Sequence, residues 1–180
     1  DPFAGSGTAL LEAKLHKNFK KAYGIDINPL ALLISKVKTT ALNPQSLWDE
    51  YHKIVKKSSE DKKGKKQFQK PDFFNIEFWF KPEVITDLAI IKNNINEVQD
   101  KDIRDFFLVA FSETVRDVSN TRNREYKLYR MNQEMLKKHN PDTLRTFREK
   151  VKENIYSMES FFKEKQNCEV HILAEDTRNL

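Results

Sequence analysis

The chain begins with the octapeptide DPFAGSGT, and two of its four glycines, Gly5 and Gly7, fall within it. Glycine is favoured where the backbone takes a positive φ or must approach a ligand closely. The next residues, 9–13, read ALLEA and are typical of a helix. A glycine turn that leads into a helix N-terminus is how many α/β proteins hold a nucleotide-like ligand at the carboxyl edge of their sheet. The octapeptide therefore predicts a βα unit with a ligand site.

A second segment supports this prediction. Residues 21–26 form an apolar strand pattern that ends in Asp26, and Asn28 and Pro29 then provide a favourable helix N-cap and first helical residue. An acid about 20 residues beyond the glycine turn is where a ribose-binding carboxylate occurs, because its oxygens accept hydrogen bonds from both ribose hydroxyls. Asp26 is therefore a candidate ribose ligand. The alternative is a solvated acid at the end of a strand.

The octapeptide resembles motif I of the amino-methyltransferases, which use S-adenosylmethionine to methylate an exocyclic nitrogen of a nucleic-acid base. The match is closest to site-specific DNA methyltransferases that form N4-methylcytosine or N6-methyladenine, and RNA guanine-N2 methyltransferases carry a similar motif. The resemblance implies S-adenosyl-L-methionine as cofactor. Asp1, Phe3, Gly5 and Gly7 would form the methionine side of its site, with Asp1 near the amino group and the glycine amides near the carboxylate. Asp26 would bind the ribose, and Ile27 would cover the adenine ring. The motif I residues of the implied cofactor site are Asp1, Phe3, Ala4, Gly5, Ser6, Gly7 and Thr8.

The last segment, residues 168–180, reads as a strand followed by AEDTRNL. It resembles motif III of the same family, often written G-D-A-R-N-L. By that match Asp176 accepts a hydrogen bond from the adenine amino group, and Thr177 belongs to the same cofactor loop. Glu175 stands where the family usually has glycine. A polar exit from a strand is the alternative interpretation.

The family's catalytic motif IV, [DNS]-P-P-[YFW], is missing from the sequence, which contains no Pro-Pro pair. In the family this loop holds the target amino group, and its aromatic residue stacks on a base that has been flipped out of the duplex. We therefore expect an internal piece of a larger methyltransferase, with an apolar strand before Asp1 and motif IV beyond Leu180. No catalytic residue is assigned within the chain, and the piece is expected to be inactive alone.

The organisation predicted is a partial Rossmann-like α/β methyltransferase fold with a large all-helical insertion. Residues 1–43 and 168–180 would form the Rossmann-like, cofactor-binding part. Residues 44–167 would form the insertion and contribute to target recognition, since a minimal fold needs only a few residues at this point. Helical apolar spacing predicts helices over 46–57, with Ser46 and Asp49 as a capping pair, and over 81–98, 100–118 and 142–165.

Two unusual stretches lie in the insertion. The lysine-rich stretch 56–70 is interpreted as a solvated, mobile linker rather than a phosphate contact. The stretch 71–80 contains five aromatic residues, and buried packing is favoured over stacking on bases.

A basic cluster lies around the predicted break after Val118 and is interleaved with Tyr126 and Tyr129. Arginine and tyrosine can pair with phosphates, contact base edges and stack on bases, so the cluster is the candidate DNA-binding surface. A polar connection between helices is the alternative. The candidate nucleic-acid-binding residues are Arg116, Arg122, Arg124, Lys127 and Arg130.

Composition is consistent with a nucleic-acid partner. The formal net charge is +5 and the pI is about 9.1, which suits a polyanion without requiring one. A single cysteine, Cys168, excludes an internal disulfide, and the histidines have no metal-ligand spacing. No apolar run approaches the length of a membrane span. We therefore expect a cytoplasmic protein with no metal and no membrane partner.

The function expected is that of a restriction-modification DNA methyltransferase acting on adenine N6 or cytosine N4. Two alternatives remain at this stage. The first is an RNA methyltransferase with the same cofactor site. The second is a non-catalytic nucleic-acid-binding piece in which the cofactor turn is vestigial.

Overall fold

The computed structural model describes residues 1–122 and 127–177. The chain forms two compact units. The first comprises Asp1–Leu47 and Ile155–Leu180, and the second comprises Trp48–Asn154. The units divide inside two helices, Pro44–Lys63 and Thr143–Glu164, whereas the predicted boundaries at 43/44 and 167/168 lie outside these helices. Within the described residues the fold is helix-rich and mixed, with one small parallel sheet.

The first unit contains the sheet. Its elements in chain order are α1 (Thr8–Leu15), β1 (Lys21–Asp26), α2 (Pro29–Thr39) and β2 (Glu169–Ala174). The strands are parallel and in register, so Asp26 lies opposite Ala174 at the carboxyl edge. Asp1 lies on the other side of β1, because its nitrogen donates to Tyr23 O at 2.8 Å and Ile25 N–H donates to its carbonyl at 3.0 Å. Parallel pairing thus brings the segments that follow β1 and β2 to the same edge as residues 1–8.

Local sequence explains the two helices of this unit. The Asn28 side chain accepts a hydrogen bond from Leu30 N–H at 2.9 Å, which confirms the predicted cap of α2. Helix α1 packs directly on β1, since a Cβ on Gly24 would lie 2.5 Å from Leu10 Cδ1 and 3.0 Å from Ala4 Cβ. Gly24 therefore allows the helix and the glycine turn to approach the strand closely.

The second unit is helical apart from an isolated antiparallel bridge between Thr121 and Arg130 in the described residues. The helices that lie in it wholly or in part are α3 (Pro44–Lys63), α4 (Ile76–Trp79), α5 (Pro82–Asn96), α6 (Lys101–Val118), α7 (Gln133–Lys138) and α8 (Thr143–Glu164). Val84 and Leu88 of α5 pack with Val118 at the end of α6. The apolar residues Val84, Leu88, Ile91 and Ile95 of α5 are buried, as is Val98 just beyond its end.

The N-terminal caps of α6 and α3 are formed by Asp100 and Asn43. Asp100 caps α6, with its Oδ1 accepting from Asp102 N–H at 2.8 Å and Ile103 N–H at 3.0 Å. The predicted capping pair of α3 is wrong, because the helix begins at Pro44 and Asn43 caps it. The Asn43 Oδ1 accepts from Gln45 N–H at 2.9 Å. An asparagine followed by proline is itself a strong helix-start signal, so the predicted start at residue 46 is too late.

The predicted mobile linker over 56–70 is wrong for its first half, because α3 continues to Lys63. Lysines of this stretch neutralise acidic side chains of the same unit. Lys66 Nζ lies 2.5 Å from Asp61 Oδ1, and Lys62 Nζ lies 2.7 Å from Asp87 Oδ2. Asp61 is buried, and a buried carboxylate requires a partner, so these lysines stabilise the fold.

Buried packing of the aromatic stretch is also wrong for three of its rings. Phe73, Phe74 and Phe78 are exposed, and Phe74 keeps 88% of its surface accessible. The stretch folds as a loop and the single turn α4, with Asn75 in the left-handed region before it. One helical turn has too little surface to bury rings that point in several directions.

Within the part of the chain that the structure describes, no helix has the length and apolar content that a membrane span requires. Those same residues contain no group of three or more His, Cys, Asp or Glu side chains that could hold a metal ion. Cys168 is a free thiol buried just before β2.

Candidate functional site

The glycine turn has the backbone conformation that its sequence predicts. Gly5 has a φ of 51° and Gly7 has a φ of 73°, both in the left-handed region. The Gly7 amide donates to Ala4 O at 2.8 Å, and Leu11 N–H donates to Gly7 O at 2.9 Å, which joins the turn to α1. A Cβ on Gly7 would lie 2.8 Å from Ser35 Cα, whereas a Cβ on Gly5 would meet nothing closer than 3.9 Å. Gly5 is therefore required by its backbone conformation alone, and Gly7 also by its closeness to α2.

Asp26 connects the turn to the end of β1. Its Oδ2 accepts the Gly5 amide at 2.8 Å and its Oδ1 accepts the Asn28 amide at 2.8 Å. These two hydrogen bonds, with that from Asn28 the stronger cause, hold the pKa of Asp26 below its ordinary value. The carboxylate is thus ionised at neutral pH. Since each carboxylate oxygen has two lone pairs, Asp26 can accept further hydrogen bonds from a ligand.

The three segments singled out in the sequence line one cleft of about 240 Å³ at the carboxyl edge of the sheet. Its lining residues are Pro2, Phe3, Asp26, Ile27, Glu175, Asp176 and Thr177. Phe3 is 78% exposed and Ile27 is 71% exposed, so two apolar side chains are available to cover a planar ring. Pockets for drug-sized ligands span about 300–1,000 Å³, so this cleft suits the nucleoside end of a larger ligand.

The implied cofactor residues thus divide into two groups. Phe3, Asp26, Ile27, Asp176 and Thr177 line the cleft. The remaining residues, Asp1, Ala4, Gly5, Ser6, Gly7 and Thr8, form or flank the turn beside it. The amides of Gly5 and Gly7 already donate within the chain, so donation to a ligand carboxylate would require them to exchange partners.

Sequence reasoning missed two residues of α2 that contact the turn. Ser35 is 1% exposed and its Oγ donates to Gly5 O at 2.8 Å. Lys38 Nζ lies 3.3 Å from Ser6 Oγ. The one available signal was a serine within the apolar run 30–37, since a buried hydroxyl needs a hydrogen-bond partner.

The candidate nucleic-acid-binding residues lie in the second unit. Arg122 and Arg130 are held near each other by the bridge between Thr121 and Arg130, and Arg122 N–H donates to Tyr129 O at 2.8 Å. Lys127 is exposed, and Arg116 lies in the last turn of α6. Arg124 falls outside the described residues.

Arg130 has a specific partner that the sequence did not predict. Its Nε donates to Phe78 O at 2.8 Å, and its guanidinium carbon lies 4.3 Å from the centre of the Phe78 ring. Asn120 Nδ2 donates to the same carbonyl at 3.2 Å. This part of the basic cluster is therefore attached to the exposed aromatic stretch.

The chain is similar to a known methyltransferase. It is 44% identical over 172 residues to the type II methyltransferase M.MvaI of Kocuria varians. The alignment covers 93% of this chain and 37% of that protein, so the chain spans little more than a third of its relative's length. No protein-family model matches the chain. No solved structure matches it either.

The two glycines of the turn provide a test of its geometry. Gly5→Ala places a side chain in the left-handed region with open space around it, and should lower the free energy of unfolding by about 1–2 kcal/mol. Gly7→Ala adds a collision with the Ser35 backbone and should lower the free energy of unfolding by more than Gly5→Ala does. Urea unfolding of both variants measures the difference. Equal costs would show that the turn does not pack on α2 as described.

Proposed function

We propose that this chain supplies the cofactor-binding part of a DNA methyltransferase. The intact enzyme would transfer a methyl group from S-adenosylmethionine to the exocyclic amino group of adenine (N6) or cytosine (N4). The observation that carries this proposal is the single cleft formed by Phe3, Asp26 with Ile27, and Asp176 with Thr177. The similarity to a type II methyltransferase supports it and favours a role in restriction-modification. We place this cleft in a partial Rossmann-like fold, with the second unit as the insertion.

The residues of the cleft fit the nucleoside end of this cofactor. Asp26 is ionised and retains acceptor capacity for the ribose hydroxyls. Asp176 is half-buried and lies just beyond the end of β2, at the same edge of the sheet. Its carboxylate would accept a hydrogen bond from the adenine amino group. Phe3 and Ile27 would cover the adenine ring with apolar surface. When bound, S-adenosylmethionine supplies an electrophilic methyl group on its sulfonium centre.

The same residues explain how the chain would orient the reaction. A fixed nucleoside end, together with the glycine turn beside it, would determine where the methyl group points. The sequence contains no Pro-Pro-aromatic loop to hold a target amino group. We therefore infer that the chain positions the cofactor and that another segment of the intact enzyme holds the flipped base.

Methyl-transfer analysis of the gene product that contains this chain tests the proposal. Incubation with methyl-tritiated S-adenosylmethionine and unmethylated DNA should place label on N6-methyladenine or N4-methylcytosine after digestion to nucleosides. A parallel reaction with RNA is the control for substrate class, and label there alone would support the RNA alternative. The 180-residue chain by itself should bind cofactor without transferring label. Absence of label from both nucleic acids with the whole gene product would contradict the proposal.

We also propose that the basic cluster contacts DNA. Lys127 is exposed, and Arg130 is held against the exposed Phe78 ring, which places positive charge beside apolar surface suited to stacking. The lysine stretch is a weaker candidate, since Lys62 and Lys66 pair with Asp87 and Asp61. Arg116, Arg122 and Arg124 remain part of the proposed surface.

The salt dependence of DNA binding distinguishes these two basic regions. The double variant Lys127→Ala, Arg130→Ala of the gene product should lower DNA affinity and reduce the log-log salt slope by about 1–2, because each phosphate contact releases counterions. Lys56→Ala, Lys63→Ala removes the same charge from the exposed side of α3 and is the matched control. A larger slope change in the control would place the DNA-binding surface on α3. Circular dichroism confirms that both variants fold.

A further inference from the structure

Ser35 occupies an unusual position for a polar residue. It lies in the middle of α2, is 1% exposed, and follows the apolar residues 30–34. Its hydroxyl donates to the Gly5 carbonyl at 2.8 Å, far from it in sequence. A buried hydroxyl in a helix commonly bonds to its own helix, so a bond to another segment indicates a specific role.

The Gly5 residue is held from both sides. Its carbonyl accepts from Ser35, and its amide donates to Asp26 Oδ2 at 2.8 Å. Both partners belong to the segment that follows the turn's own helix, one at the end of β1 and the other in α2. The backbone at Ser35 also fills the space beside Gly7, where a Cβ would lie 2.8 Å from Ser35 Cα. The turn is thus fixed at both of its glycines.

Glycine has more backbone freedom than any other residue, so a turn with two left-handed glycines has a large conformational entropy when it is not held. A ligand that binds such a turn loses affinity by ordering it. Contacts that order the turn in advance reduce this loss. The hydrogen bond from Ser35 is therefore a contact of the kind that preorganises a binding site.

We propose that Ser35 is a positioning residue for the amino-acid end of the cofactor. This inference rests on the proposed function above. The cleft that suits the nucleoside end is lined by Phe3, Asp26, Ile27 and the residues after β2, whereas Gly5 and Gly7 do not line it. Ser35 acts only through the turn. Loss of its hydroxyl should therefore weaken the binding of ligands that extend along the turn and leave the binding of ligands that occupy only the cleft unchanged.

A pair of related ligands separates these effects. S-adenosylhomocysteine has both ends, and 5′-methylthioadenosine has the nucleoside end without the amino-acid end. In calorimetric titrations of the chain, Ser35→Ala should lower the affinity for S-adenosylhomocysteine by about two- to tenfold, the effect expected for one lost hydrogen bond. Binding of 5′-methylthioadenosine should change less than twofold. Equal losses for the two ligands, or no loss for either, would overturn the proposal.

Hydrogen exchange of the ligand-free chain provides a second test that does not depend on the proposed function. Ser35→Ala should speed exchange of the Gly5 and Gly7 amides by about two- to tenfold, because the turn opens more often. Thr39→Val is the matched control. It removes the buried hydrogen bond from Thr39 Oγ1 to Ser35 O (2.9 Å) in the same helix without contacting Gly5.

The control decides between positioning and general destabilisation. Unchanged Gly5 and Gly7 exchange in Thr39→Val, with faster exchange in Ser35→Ala, supports a specific role for Ser35. Equal acceleration in the two variants would mean that α2 is merely less stable, and would overturn the proposal. If the unmodified chain binds neither ligand, the proposed function is wrong. The hydrogen-exchange comparison still tests whether Ser35 orders the turn.

Discussion

The hydrogen bond from the Gly5 amide to the Asp26 carboxylate joins the parts of the first unit on which the candidate site depends. It connects the turn before α1 with the end of β1, and the second Asp26 oxygen connects that strand end to the start of α2 through Asn28. Parallel pairing of β1 with β2 then brings Asp176 and Thr177 to the same edge. One ionised side chain therefore sets the geometry of the turn while facing the cleft itself.

This arrangement gives Asp26 two backbone partners within the chain, the amides of Gly5 and Asn28. Charge-assisted hydrogen bonds to backbone amides are stronger than neutral ones, and they keep the carboxylate ionised. The same charge is what a pair of ribose hydroxyls would recognise. A residue that organises the site is thus also the residue best placed to bind the proposed ligand.

Much of the first unit could be predicted from sequence because its signals are local. The positive φ of Gly5 and Gly7 and the cap at Asn28 each depend on a few neighbouring residues. The contact of Ser35 with the turn could not be predicted, since its partner Gly5 is 30 residues away and a serine within an apolar run indicates only that its hydroxyl needs some partner. Motif resemblance singled out residues of three segments, and the fold shows that Phe3, Asp26, Ile27, Asp176 and Thr177 are the ones that line the cleft. Their binding of a cofactor stays a prediction.

The second unit shows the same limit more clearly. Helical spacing located α5, α6 and α8 within a few residues, because an apolar face is a periodic and local signal. Composition does not reveal that α3 continues to Lys63, that Lys66 meets a buried Asp61 or that Phe78 supports Arg130. Charged and aromatic residues acquire their roles from partners that are distant in sequence.

Three separate segments of this chain line the cleft that we propose binds S-adenosylmethionine. The most direct measurement is an NMR titration of the ¹⁵N-labelled chain with that compound. We expect saturable shifts of the amides at Phe3, at Asp26 and Ile27, and at Asp176 and Thr177, all with the same dissociation constant. The amides of α5 and α6 should remain unchanged. Shifts confined to one segment, or spread over the second unit instead, would contradict the proposal that the three segments form one binding site.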